Sequence, residues 1–289
     1  MSRFKKGDIV GRISYNKDVI FEITNIIKTS NNKEIYILKG ITERIEADSP
    51  PEDLEIIDKR IIINKEKMIE DKIQRRIQIS LNNHDYNVNV KRSLFEFINE
   101  KRGSKTIYTG KILHLDGDRR YADKSIKYYK SLGLNATVKN IPENKQAKAI
   151  ASLLERYNPD ILIITGHDGM IRKGTGFNDV YNYRNSRHFI NTVNEARRWS
   201  RARGKDLAIF AGACQSYYEA IMSAGANFAS SPKRIMIDFI DPLIVAERIA
   251  TTENTKYITI HDIEEELRDG RDGVDGVGAM GKKIIKLEV

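Results

Sequence analysis

Apolar positions follow two rhythms along the chain. In residues 1–63 they come in short runs broken by turn formers. Ile9-Val10 follows Lys5-Lys6-Gly7-Asp8. The long run Val19–Ile27 ends at Ser30-Asn31-Asn32-Lys33, and Glu34–Gly40 forms a third run. A fourth short run over 42–48 stops at Ser49-Pro50-Pro51, before Leu54-Glu55-Ile56-Ile57. This spacing predicts a small module of short strands over 1–63. Between Asn64 and Ile79, Met68, Ile69, Ile73 and Ile77 recur at helical intervals, predicting a connecting helix with one apolar stripe. The rest of 64–104 is polar and irregular, and reads as linker with a short helix around 94–98.

From Lys111 the pattern changes to near-continuous apolar runs alternating with amphipathic ones. Strands are predicted at 111–115, 135–139, 160–165, 206–211 and 234–238, with helices at 121–132, 144–157, 186–203, 215–224 and 242–251. Strands apolar on both faces, separated by amphipathic helices, specify an α/β fold over 105–289: a parallel sheet with helices on both faces. The Gly-rich stretch 269–278 predicts a flexible tail before a last strand at Lys283–Leu287.

Composition narrows the chemistry. One cysteine among 289 residues excludes an internal disulfide, a thiolate-rich zinc site and an iron–sulfur cluster held by this chain, so neither metal nor cofactor is expected. No apolar run reaches the 18 or so residues needed to span a bilayer, and no hydrophobic segment follows the basic N-terminal residues. The chain is therefore expected to stay in the cytoplasm, off the membrane. The net charge of +9 favours acidic partners, but it is spread along the chain, and aromatics among the basic residues of 1–63 are few, which argues against nucleic acid.

In an open parallel sheet, ligands lie beyond the carboxyl ends of the strands. Asp116-Gly117-Asp118, Gly166-His167-Asp168-Gly169, Gly212-Ala213-Cys214 and Asp238 stand at those ends. His167 and Cys214 follow successive strands, and strands roughly 5 Å apart bring such side chains within reach of each other. A thiol with a histidine beside it is an activated nucleophile. The amides of Gly169 or Asp168, with that of Cys214, would form an oxyanion hole, and a helix starting after Cys214 would lower the thiol pKa. Asp116, Asp118 or Asp238 would pair with a basic substrate side chain; the simpler reading makes them helix caps or salt-bridge partners. His84, His114 and His188 read as structural.

Two resemblances sharpen this reading. The runs Ile161–Thr165 into Gly166-His167 and Leu207–Ala211 into Gly212-Ala213-Cys214 resemble the His and Cys motifs of the caspase–legumain–gingipain clan of cysteine peptidases. The spacing of 47 from His167 to Cys214 is close to the roughly 50 of caspases. Asp168 stands where that clan has glycine, so the second oxyanion donor is left open. The opening Lys5-Lys6-Gly7-Asp8-Ile9-Val10 resembles the start of an SH3-like barrel. Together with Leu113–Asp118, Ile164–Gly169 and Phe210–Tyr217, it is similar to the YabG sporulation protease family. That resemblance implies a protease of the mother cell of a sporulating bacterium, acting on spore coat or cortex-associated proteins.

Three rivals are set against it. An amidotransferase-like hydrolase would use His261, in Ile260-His261-Asp262-Ile263-Glu264, instead of His167. A receiver-like domain would use Asp116 and Asp118 for a cation. A binding scaffold would grip nucleic acid or protein through residues 1–63. The sequence gives no oligomeric state.

Overall fold

The computed structural model describes residues 3–98, 105–171 and 176–287, with 83–98, 105–106 and 286–287 described by backbone alone. The short apolar runs near the N-terminus form five antiparallel strands: β1 (Ile9–Arg12), β2 (Phe21–Lys28), β3 (Glu34–Gly40), β4 (Glu46–Ser49) and β5 (Leu54–Ile56). They pair in the order β4-β3-β2-β1-β5. Alternate residues Phe21 and Ile23 of β2, with Tyr36 and Leu38 of β3, are fully buried, as the pleat requires of one inward face. Helix α1 (Lys59–Ile98) begins before the predicted Asn64 and continues through the stretch read as irregular. Ile73 and Ile77 are the buried part of its stripe, while Met68 is exposed.

The remainder is a six-stranded sheet flanked by helices. Its elements in chain order are β6 (Lys105–Tyr108), β7 (Ile112–Asp116), α2 (Arg119–Ser131), β8 (Ala136–Asn140), α3 (Glu143–Tyr157), β9 (Ile161–Thr165), α4 (Ser186–Ala202), β10 (Ala208–Ala211), α5 (Tyr218–Ser223), β11 (Phe228–Ser230), α6 (Asp241–Thr251), β12 (Tyr257–Ile258), α7 (Gly270–Gly273), β13 (Val274–Gly276), β14 (Ala279–Met280) and β15 (Ile284–Leu287). The sheet order is β13-β11-β10-β9-β7-β8, parallel except for β13. Ile112, Ile161, Ile163 and Phe210 face α1, α2 and α6, while Leu113, Leu162, Ile164 and Ile209 face α3, α4 and α5. The short pairs β12–β14 and β6–β15 lie outside this sheet.

Two expectations need correction. Residues 234–238 form no strand; the fifth parallel strand is the three-residue β11. Alternating apolar residues imitated a strand there, but Ser231 and Arg234 have positive φ, and the Ile235 and Ile237 carbonyls face the Cys214 loop instead of a ladder. The Gly-rich 269–278 stretch is no loose tail: it supplies α7 and the edge strand β13, with Val274 fully buried. Among the described residues, no helix is long and apolar enough to cross a membrane.

Candidate active site

The chain enters the sheet at β7, places β8 on one side and β9 on the other. The change of direction leaves a crevice beyond the carboxyl ends of β7 and β9, where open α/β sheets bind ligands. Asp116 ends β7, His167 follows β9, and Cys214 follows the next strand, β10. Strands β9 and β10 are hydrogen-bonded neighbours, with Ile164 opposite Ala211.

A turn from the N-terminal sheet fills this crevice. The β3–β4 loop, Gly40 to Glu46, crosses the strand ends, and Ile45 makes a parallel bridge to Asp168. The Arg44 carbonyl accepts the amides of both Asp168 and Cys214, each at 3.3 Å. The Arg44 side chain has no solvent exposure. Its guanidinium bonds Asp116 at 2.6 Å, lies 4.4 Å from the Tyr121 ring centroid and 5.5 Å from that of Phe239. The Nε and Nη2 atoms of Arg44 are buried without hydrogen-bond partners.

Asp116 has further donors besides Arg44. It also accepts from the Thr165 hydroxyl at 2.9 Å and the Asp118 amide at 2.8 Å. Burial alone would push its carboxyl up, but the Arg44 charge, with His114 and the Asp118 amide, outweighs that and holds it below the usual carboxylate range. Beneath it His114 touches Tyr129 and Thr165 and, desolvated, stays neutral, with its pKa lowered to about 3. Asp118 caps α2 through the Arg120 amide and pairs with Lys39 at 3.1 Å. Asp238 lies in the irregular segment; its carboxylate is taken by Lys72 of α1 and the Ile240 amide, while its neighbour Phe239 is the residue against Arg44.

His167 is buried, and its Nε2 stands 2.9 Å from the Gly40 carbonyl. A carbonyl can only accept, so Nε2 carries the proton and Nδ1 holds the lone pair. Nδ1 is buried with no partner. Burial first, then the charge of Lys39, lowers the pKa to about 4, so the imidazole is neutral at pH 7. The Glu143 carboxylate accepts the His167 amide at 2.8 Å and fixes the loop.

Cys214 has no exposure, and its Sγ approaches the Ile237 carbonyl at 3.8 Å. Burial, then the Glu43 carboxylate, pushes the thiol up to about 12. The expected helix start is displaced: α5 begins only at Tyr218, so no helix N-terminus offsets that burial. Gly169 is not free as a donor, because its amide bonds the Asp168 side chain at 2.9 Å. Asp168 is a brace: its carboxylate also accepts from Ser186, Ser216 and the Asn185 amide, tying the His167 loop to α4 and to the Cys214 loop. Burial raises its pKa to about 6. His261 sits on a 3₁₀ turn with its side chain 65% exposed, paired with Glu264, whereas Cys214 is enclosed. His188 opens α4 beside Arg187, and the His84 side chain lies outside the described residues. No group of three or more His, Cys, Asp or Glu among the described residues is arranged to hold a metal.

Sequence reasoning missed Arg44, Gly40, Glu43 and Tyr121. The one available signal was a charged pair, Glu43-Arg44, placed between the apolar Ile41 and Ile45.

The sporulation-specific protease YabG of Bacillus subtilis is 36% identical over 266 residues, covering 90% of each chain. The profile of the YabG peptidase U57 family matches residues 5–287. The chain belongs to the YabG peptidase family.

Proposed function

We propose that the chain is a cysteine endopeptidase with Cys214 as nucleophile and His167 as base, cleaving after basic residues of spore coat or cortex-associated proteins in the sporulating mother cell. The observation that carries this is Arg44. A peptide carbonyl on the Asp168 and Cys214 amides, with an arginine side chain reaching Asp116 between two aromatic rings, is how an arginyl substrate would be held. In a bound substrate the neutral His167 takes the thiol proton at its unprotonated ring nitrogen. Sulfur attacks the carbonyl carbon, and the two amides hold the oxygen that becomes negative. His167 then protonates the departing amine, and water attacks the thioester with the same nitrogen as base. Asp118, now paired with Lys39, and Asp238, now paired with Lys72, would serve as secondary contacts for basic substrates.

In this reading residues 1–63 are an SH3-like barrel, 64–104 a helical linker and 105–289 a caspase-like peptidase domain. The test is cleavage of an arginyl peptide and of coat protein by purified variants. Cys214→Ala and His167→Ala should abolish turnover, His261→Ala should retain it, and Asp116→Ala should cost about 100-fold or more in kcat/KM for arginine over neutral residues. Undiminished proteolysis by Cys214→Ala would sink the proposal.

A further inference from the structure

We infer that the β3–β4 loop is a tethered competitive inhibitor: the folded chain holds its own Arg44 in the site proposed above, and protein substrate enters only when the N-terminal sheet lifts away. The inference rests on that site reading, but its geometry goes further. The groups that would hold a substrate's backbone and its basic side chain are already taken. The Asp168 and Cys214 amides are on the Arg44 carbonyl, and Asp116 is on its guanidinium. The His167 Nε2 proton is on the Gly40 carbonyl, and the Tyr121 hydroxyl is on the Ile41 carbonyl at 3.1 Å. The loop also docks as an extended peptide would, with the Glu46 amide on the Asp168 carbonyl at 2.8 Å.

The attachment has two layers. Inside, Ile45, Ala47, Cys214 and Ile237 share one apolar cluster with the N-terminal sheet. Outside runs a ring of ion pairs: Glu22–Arg120 at 2.6 Å, Lys39–Asp118 at 3.1 Å, Glu43–Arg268 at 3.6 Å and Asp48–Arg184. Glu22–Arg120 is the most exposed of these, and exposed pairs contribute little each and are screened by salt. The outer ring therefore sets how often the loop lifts without determining whether the chain folds. A site open only a fraction of the time shows an apparent substrate affinity reduced by that fraction. Loosening the ring should lower KM and leave kcat unchanged.

Because Cys214 is the only thiol, its alkylation by iodoacetamide reports loop opening without any turnover. The full-length chain, Arg44→Ala, Glu22→Arg and the charge swap Glu22→Arg/Arg120→Glu would be compared for alkylation rate and for KM on an arginyl peptide. Arg44→Ala should be labelled at least tenfold faster than the unaltered chain. Glu22→Arg should be labelled about threefold faster with a KM lowered to match, and the swap should restore both values. Should Arg44→Ala fail to fold, the Glu22 pair carries the test, since it touches neither pocket nor thiol. Labelling and KM unchanged in Glu22→Arg would overturn the inhibitor role. Faster labelling without peptide hydrolysis would uphold the loop's role and sink the peptidase reading. Hydrolysis with labelling and KM unmoved would do the reverse.

Discussion

Burial sets the protonation of His114, His167 and Cys214, whereas at Asp116 the Arg44 charge outweighs it. His114 shows the cost of placing a base in the core. In the unfolded chain its pKa is near 6.5, and in the fold it falls to about 3 because the charged form has no solvent. Between those values the folded state binds fewer protons than the unfolded state, so stability rises with pH across the window and is lost as pH falls. His114→Gln removes that titration. Its stability relative to the unaltered chain should shift by about 3 kcal/mol in the variant's favour between pH 6.5 and pH 4. Urea unfolding at a series of pH values checks this, and a constant offset would refute it. The residues that end strands (Asp116, His167 and Cys214) were legible because an apolar run followed by glycine and a polar residue marks a strand's carboxyl end. The occupant of the site was not legible. Arg44 lies 123 residues before His167, and no local pattern tells which distant loop crosses a sheet.

At the scale of elements, the loops after β9 and β10 are shaped by glycines with particular tasks. A side chain on Gly169 would meet the Glu46 carbonyl at 2.1 Å, so glycine there admits the β3–β4 loop. Gly212 has φ +116, and a Cβ would lie 2.3 Å from the Ser230 hydroxyl, which bonds the Ala213 carbonyl. Gly212→Ala should therefore cost about 1–3 kcal/mol, seen as a lowered urea midpoint; an unchanged midpoint would show that the loop is not held at this angle. The parallel strands β7, β9 and β10 were readable because burial on both faces leaves them nearly all apolar. β11 was hidden by its length of three residues, and the longer alternating segment 234–238 stood in for it. The order of the strands depends on which helices cross which face, information that no single run contains.

The whole molecule is tied together through the candidate site. Phe4, Val10, Phe21 and Tyr36 of the N-terminal region share an apolar cluster with Cys214 and Ile237. Trp199, the sole tryptophan, lies in the separate cluster between the parallel sheet and α4. If the chain unfolds as one cooperative unit, Val10→Ala should cost about 2 kcal/mol and lower the Trp199-detected urea midpoint as much as the one seen by circular dichroism. A tryptophan midpoint that stays in place would show two independent units. The position of the β3–β4 loop in the chain has a further consequence. Synthesis proceeds from the N-terminus, so residues 40–46 leave the ribosome well before His167 and Cys214 exist. If that loop is the inhibitor proposed above, the guard is translated ahead of the blade, and a chain that folds as it emerges has its cutting edge sheathed from the moment that edge forms.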